Sequence, residues 1–144
     1  MNIKNEKRKI KEVDGKQYIF DYLRKKYIFL SPEEIVRQNF LDYLIEEKKY
    51  SKNLIKLESG IVYNSLNKRS DILVYDNKGV AFLLVECKAT TVAITQNTIE
   101  QASRYNLIIK APYLCVTNGI KTFCFNINFE NNKIQQINEI PLIN

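Results

Sequence analysis

The chain of 144 residues is long enough to bury the core of one domain, and its composition of 45% hydrophobic and 26% charged residues is typical of a globular protein. It contains no histidine, which excludes HNH-type nucleases, Ser-His-Asp hydrolases and HExxH metalloproteases, because each of them needs an imidazole. The four glycines are isolated, so the sequence contains neither a P-loop nor a dinucleotide-binding fingerprint. The chemistry that remains is that of carboxylates, lysine and a divalent metal.

Charge and hydropathy indicate where the protein acts and what it binds. The net charge of +6 favours a polyanionic partner such as nucleic acid. No apolar run approaches the roughly 20 residues of a membrane span, and the N-terminus has no apolar signal-peptide segment. We therefore expect a cytoplasmic protein without a membrane partner. The odd number of cysteines fits this, and we predict that Cys87, Cys115 and Cys124 are buried free thiols.

The first predicted elements follow a polar lead-in of residues 1 to 16. Aromatic and β-branched residues predict short extended segments at 17–21 and 26–30. A helix is predicted from Ser31 to about Lys49, with Ser31 as the N-cap and a proline at the first helical position. Glu34 stands three residues after the cap, as in a capping box.

Strands and a second helix are predicted in the rest of the chain. The second helix is predicted from about Asn97 to Lys110, with Asn97 and Glu100 as its cap pair. Asn118-Gly119 is a strong hairpin signal between the last two strands. The predicted strands cover residues 53–63, 71–75, 80–88, 113–117 and 120–125, and no linker divides residues 17–144.

The strands at 71–75 and 80–88 are apolar on both faces, which is typical of a sheet covered on both sides. The sequence therefore predicts an α/β protein with a three-layer α/β/α arrangement.

Asp71, Glu86 and Lys88 are the candidate catalytic residues. Glu86 and Lys88 share one face of their strand because they are two residues apart. If the intervening turn is centred on residues 77 and 78, Asp71 lies diagonal to Glu86; if it is centred on 78 and 79, the two acids lie directly opposite. Both registers bring the acids within about 5–8 Å on one face. Two carboxylates at that separation suit Mg²⁺ or Mn²⁺, and lysine beside them can position the attacking water. The alternative is a charged strand end in which these side chains only form ion pairs.

These residues match the PD-(D/E)xK pattern, with Ser70-Asp71 and Glu86-Cys87-Lys88 fifteen residues apart. Gln101 and Tyr105 resemble the QxxxY extension of RecB-like nucleases. The segments SPEEIVRQNF, RSDILVYD, LLVECKA, EQASRYN and PYLCVTNG resemble, in that order, the N-terminal domain of type I restriction enzyme R subunits and especially the single-domain proteins of that family, over about residues 17 to 141.

The resemblance implies a restriction-endonuclease-like fold with a central mixed sheet and a Mg²⁺-dependent DNA endonuclease, with Mn²⁺ able to substitute. Asp71 and Glu86 would bind the metal and Lys88 would be the catalytic lysine. Glu34 would be an additional metal ligand, although it also fits the capping box. The accessory or DNA-binding residues would be Gln101, Tyr105, Arg37 and Gln38.

Two alternatives to a DNA endonuclease remain open. The chain contains no motor motif, whereas the type I subunit couples its nuclease to a translocating motor, so a separate motor or restriction-modification subunit is an expected partner. A non-catalytic nucleic-acid-binding or assembly module on the same fold is the main alternative. An RNA-processing or tRNA-processing nuclease would use the same chemistry.

Overall fold

The computed structural model describes residues 1–57, 61–63, 66–68 and 72–143, and the two short middle ranges are described through their backbone only. Their secondary structure consists of eleven strands, two α-helices and one short 3-10 turn. None of the helices in these ranges is long and apolar enough to cross a membrane.

The N-terminal part forms a three-stranded antiparallel meander of β1 (Ile10–Val13), β2 (Lys16–Asp21) and β3 (Lys26–Phe29). Strands β2 and β3 confirm the predicted extended segments. The polar lead-in, however, contains a strand that was not predicted. Asp14 and Gly15 connect it to β2 with φ values of 52° and 78°, as a two-residue hairpin turn of the Asp-Gly type requires.

Helix α1 (Pro32–Glu46) begins as predicted, because the Ser31 side chain accepts a hydrogen bond from the Glu34 N–H at 3.0 Å. The reciprocal half of the expected capping box does not form. The Ser31 N–H donates to the carbonyl of Phe29 instead, and this frees the Glu34 side chain for other contacts. The Glu34 side chain therefore does not cap the helix.

A six-stranded mixed sheet forms the centre of the protein, in the order β11-β10-β9-β8-β7-β4. Strands β8 and β9 are parallel and every other neighbouring pair is antiparallel, because helix α2 (Gln96–Ile109) crosses over between those two strands. The strands are β4 (Ile55–Leu57), β7 (Ile72–Tyr75), β8 (Ala81–Cys87), β9 (Tyr113–Thr117), β10 (Thr122–Asn128) and β11 (Lys133–Ile137).

The strands between the helices and at the C-terminal end differ in part from the predictions. The strand predicted at 53–63 begins instead with a 3-10 turn (Lys52–Leu54) before β4, and a separate hairpin of β5 (Ile61–Tyr63) and β6 (Leu66–Lys68) follows. Strand β11 was not predicted. The loop between β9 and β10 has four residues, 118–121, closed by a hydrogen bond from the Asn118 N–H to the Lys121 carbonyl.

Helix α2 starts one residue earlier than predicted and uses a different cap pair. Thr95 is the N-cap, and it exchanges hydrogen bonds with Thr98 in a complete capping box, so the predicted pair of Asn97 and Glu100 is wrong. A threonine hydroxyl two residues upstream competes successfully with the asparagine for this position.

Side chains of β7, β8 and β9 alternate between two hydrophobic clusters, one under each helix. Val85 and Cys87 belong to the cluster that packs against α1, together with Val36 and Leu41. Leu84 belongs to the cluster that packs against α2. The structure thus has the three-layer α/β/α arrangement predicted from the doubly apolar strands. The three cysteines are buried and free, as predicted.

Candidate active site

Glu86 and Lys88 lie at the carboxyl end of the central strand β8. Glu86 is only 5% exposed, and it alternates with Val85 and Cys87, so its side chain lies on the α2 face of the sheet. The Lys88 Nζ lies 3.5 Å from the Glu86 Oε1, while the Lys88 side chain keeps 28% of its surface exposed. A buried carboxylate and a partly accessible amine therefore share one site.

The register between β7 and β8 decides what stands opposite Glu86. Ile72 pairs with Val85 and Leu73 with Leu84, which follows the register expected for a turn centred on residues 78 and 79. A bulge between Val74 and Tyr75 then shifts the pairing before the turn. Asp71, the third candidate catalytic residue, lies outside the described residues.

The backbone around Lys88 is fixed from the neighbouring strand. The Lys88 N–H donates to the Thr117 carbonyl at 2.8 Å, which extends the parallel pairing one residue beyond β8. Asn118 holds the segment between β8 and α2, because its side-chain amide donates to the Val92 carbonyl at 2.8 Å. The segment between β8 and α2 is thus held at Lys88 and at Val92, and this limits the positions that the lysine side chain can reach.

Glu34, Arg37 and Gln38 meet in a separate buried cluster at the start of α1. The Glu34 carboxylate accepts from an Arg37 guanidinium nitrogen and, at 2.9 Å, from the Gln38 amide. Arg24, from the turn after β2, completes its contacts at 3.2 Å. Arg37 also pairs with the more exposed Glu33 at 3.1 Å. Both oxygens of Glu34 are thus engaged by the chain's own donors.

Asp21 is the second carboxylate of this cluster, and sequence reasoning did not single it out. Its side chain is fully buried and accepts from the Gln38 amide at 2.8 Å and from the Arg24 guanidinium. Burial alone would raise the pKa of Asp21. The hydrogen bonds from the Arg24 N–H, the Gln38 amide and the Arg24 side chain outweigh burial and hold its pKa below the ordinary value. An aspartate at a strand end followed by arginine three residues later was the available signal.

Helix α2 packs on the face of the sheet that carries Glu86, but Tyr105 and Gln101 lie in different environments. Tyr105 is 2% exposed and packs in the cluster that contains Leu84 and Leu114, whereas Gln101 is exposed. One helical turn therefore separates a core side chain from a surface side chain.

Among the residues that the structure describes, no group of three or more acidic or cysteine side chains is arranged to hold a metal ion. Glu86 supplies one hard oxygen donor group at the end of β8. Glu34 stands on the helix that covers the opposite face of the sheet, where guanidinium and amide groups surround it.

A sequence model described as the type I restriction enzyme R protein N terminus matches residues 32–141, about three quarters of the chain. The chain belongs to this family. The match includes β8, α1 and α2, and with them every candidate site residue. It excludes the N-terminal meander.

A solved structure supports the same fold. A fragment assigned to an HsdR subunit of a type I restriction enzyme from Vibrio vulnificus YJ016 is 18% identical in sequence and aligns with a TM-score of 0.58 over 78% of this chain. The alignment covers 24% of that structure's chain, so this family member spans about a quarter of it. No protein in the search of curated sequences matches.

Proposed function

We propose that this family member is a divalent-metal-dependent DNA endonuclease whose site consists of Asp71, Glu86 and Lys88. The observation that carries the proposal is the buried Glu86 carboxylate with the Lys88 amine 3.5 Å away at the end of the central strand. A carboxylate at the end of a buried strand, beside a partly exposed amine, is a hard oxygen donor of the kind that a divalent cation binds. Family membership supports the proposal.

The donor set fits Mg²⁺, with Mn²⁺ as a substitute, because both ions prefer hard oxygen ligands. Glu86 and Asp71 would hold the ion, because the sequence predicts the two acids directly opposite each other in the register in which Ile72 pairs with Val85. The metal would supply Lewis-acid polarisation of the phosphodiester and a more acidic bound water.

Lys88 would position the attacking water and stabilise the charge that develops on the phosphate. Its partial exposure suits this role, since the amine can reach a phosphate on the surface while its backbone is fixed to Thr117. Glu86 would hold the lysine in place before DNA binds.

The other candidate residues divide into two groups. Gln101 is exposed and would contact DNA, and Tyr105 would orient the site from within the core of the same face. Glu34, Arg37 and Gln38 would hold α1 to the turn after β2, because their mutual contacts already satisfy the Glu34 carboxylate. We therefore assign Glu34 a structural role in preference to a ligand role.

Cleavage of supercoiled, linear and single-stranded DNA with Mg²⁺, Mn²⁺ or EDTA tests the proposal. We expect metal-dependent cutting that falls by about 10²-fold or more in Lys88→Ala and Glu86→Gln proteins, the range typical of a lost acid-base or electrostatic group. Lys78→Ala, on the exposed turn before β8, is the matched control and should cut like the parent. If concentrated protein with Mn²⁺ cuts none of these substrates, the enzyme proposal fails.

Metal binding can be measured separately from cutting. Mg²⁺ or Mn²⁺ should raise the melting temperature of the parent and of Glu34→Gln, but not that of Asp71→Asn or Glu86→Gln. A metal-induced rise that disappears in Glu34→Gln and persists in Glu86→Gln would contradict the assignment.

A non-catalytic nucleic-acid-binding module is the second candidate, and the net charge of +6 favours it. It predicts salt-sensitive DNA binding, no cutting, and no response to Lys88→Ala. The family also suggests a separate restriction-modification subunit as a partner, and cutting that appears only when such a subunit is added would support that arrangement.

A further inference from the structure

The N-terminal meander has two different faces. Ile19 and Asp21 are fully buried on its inner face, where Asp21 contacts Gln38 of α1. The register of the three strands assigns the alternate side chains to the other face, which we call the outer face. The outer face consists of Lys9, Lys11, Val13, Lys16, Tyr18, Phe20, Tyr27 and Phe29.

Four aromatic rings form the centre of the outer face, in two cross-strand pairs. Tyr18 and Phe29 have ring centroids 5.8 Å apart and planes at 64°, and Phe20 and Tyr27 are 5.3 Å apart at 69°. In each pair the edge of one ring points at the face of the other, so each ring keeps at least one face that its pair partner does not cover. Phe29 is 47% exposed and Tyr27 is 38% exposed, so neither ring is part of the core.

The charged groups of the outer face are all cationic. Lys9, Lys11 and Lys16 belong to it, whereas the register places Glu12 and Asp21 on the inner side. The Lys11 Nζ lies 4.0 Å above the Tyr27 ring and the Lys16 Nζ lies 5.9 Å from the Phe29 ring. Lys11 and Lys16 thus lie against the rings of Tyr27 and Phe29, and Lys9 pairs with Phe20 across the two strands.

We propose that the outer face of the meander binds single-stranded DNA, with bases stacked on its aromatic rings and phosphates held by Lys9, Lys11 and Lys16. Aromatic platforms bordered by cations are the chemistry by which proteins bind unpaired strands without reading sequence. Rings two residues apart on one strand are about 6.8 Å apart, which suits consecutive bases of an extended strand.

The aromatic rings are the reason that we expect the bound DNA to be single-stranded. In a duplex the base faces are covered by neighbouring bases, so a flat aromatic surface gains little there beyond contacts to phosphates. A base that approaches Tyr27 or Phe29 displaces the lysine over that ring. The displaced ammonium then remains close enough to pair with a phosphate, so the same residues serve both contacts.

The choice of DNA over RNA rests on the proposed function, whereas the choice of an unpaired strand rests on the face itself. The meander precedes the family match, which begins at residue 32, so this surface is an addition to the part of the chain that carries Glu86 and Lys88. A second copy of the chain fits the outer face less well than DNA does, because a two-fold contact would bring two sets of three lysines together.

Fluorescence anisotropy with a labelled oligothymidylate, in EDTA and with the 144-residue Lys88→Ala protein, tests the proposal independently of cutting. We expect Phe29→Ala and Tyr27→Ala each to weaken binding by about tenfold, as expected for the loss of one base-stacking ring. Phe29→Trp should bind as the parent does or more tightly. Lys11→Gln should reduce the slope of log affinity against log salt by about 0.7, the value for one phosphate contact on a single strand.

Ile134→Ala is the control, because Ile134 is 59% exposed on β11, an edge strand of the six-stranded sheet, whereas the meander forms a sheet of its own. Binding that is unchanged in both Phe29→Ala and Tyr27→Ala proteins with parental unfolding midpoints would overturn the proposal. Duplex DNA or an RNA oligomer bound tenfold more tightly than oligothymidylate would also overturn it. Because cutting is measured on other residues and with metal, either proposal can fail while the other stands.

Discussion

Arg8 connects the N-terminal segment to helix α1, and its removal gives a sharp test of how the meander is attached. Its guanidinium makes two contacts to the Asp42 carboxylate, at 2.9 and 3.0 Å, one to the Phe20 carbonyl at 3.2 Å and one to Gln38 at 2.5 Å. The side chains of Arg8 and Asp42 are only 6% and 10% exposed. The pair is therefore largely removed from water.

Arg8→Ala should destabilise the protein by about 3 kcal/mol. Removing one partner of a buried ion pair costs about 3–5 kcal/mol, because the other charge stays buried. Asp42 would keep one donor, the Tyr22 hydroxyl at 2.8 Å, which favours the lower end of that range. For a chain of this length the expected fall in melting temperature is roughly 10 °C.

Urea unfolding followed by circular dichroism measures the change, with Lys7→Ala as the exposed neighbouring control. Arg8→Lys should recover less than half of the loss, since one ammonium nitrogen cannot replace both the guanidinium nitrogen that contacts Asp42 and the one that contacts the Phe20 carbonyl and Gln38. In an Asp42→Asn background Arg8→Ala should cost much less, because no buried charge is stranded. A loss below about 0.5 kcal/mol in the parent would refute the reasoning.

Three further predictions concern the stability contributed by Asp21, Asn106 and Lys110. Asp21→Asn should make the free energy of unfolding depend less on pH in acid. The lowered pKa of Asp21 contributes stability that is complete above the unfolded-state value near 3.8 and is lost as pH falls through the folded-state value. The difference in unfolding free energy between parent and variant, measured by urea unfolding, should therefore shrink from pH 5 towards pH 2. A constant difference over that range would contradict this. Asn106→Ala should cost about 2–4 kcal/mol in the same assay, because the buried amide makes two hydrogen bonds to the Ala111 backbone, at 2.9 and 3.0 Å, that no other group replaces; a loss under about 1 kcal/mol would contradict it. Lys110→Gly should raise stability by about 0.5–1 kcal/mol, because Lys110 ends α2 with φ of 61°, and a decrease would show that its side chain has another role.

The parts of the fold that were predicted correctly depend on local signals. Ser31 followed by proline marks the start of α1 because capping satisfies backbone donors within one turn. The apolar residues of β7 and β8 predict a doubly covered strand pair because alternation alone sets which side chains face each layer. Family membership followed from short motifs in a fixed order.

The wrong local predictions arose where neighbouring signals compete. Thr95 and Asn97 are both good helix caps, and only the geometry of the folded turn selects Thr95. β1 was missed because its residues are exposed on an edge strand and give no apolar pattern, although the Asp14-Gly15 pair was a usable hairpin signal.

At the candidate site, the sequence and the tertiary structure each determine different features. The sequence by itself determined the residue types at the strand end and the shared face of Glu86 and Lys88, since a two-residue period is a property of any strand. Only the tertiary structure decided between the two registers, because the bulge after Val74 changes the pairing in a way that the turn residues do not encode. The tertiary structure also determines the hydrogen-bond partners of Glu34. Arg24 lies ten residues away in sequence and contacts Glu34 only when the meander packs against α1.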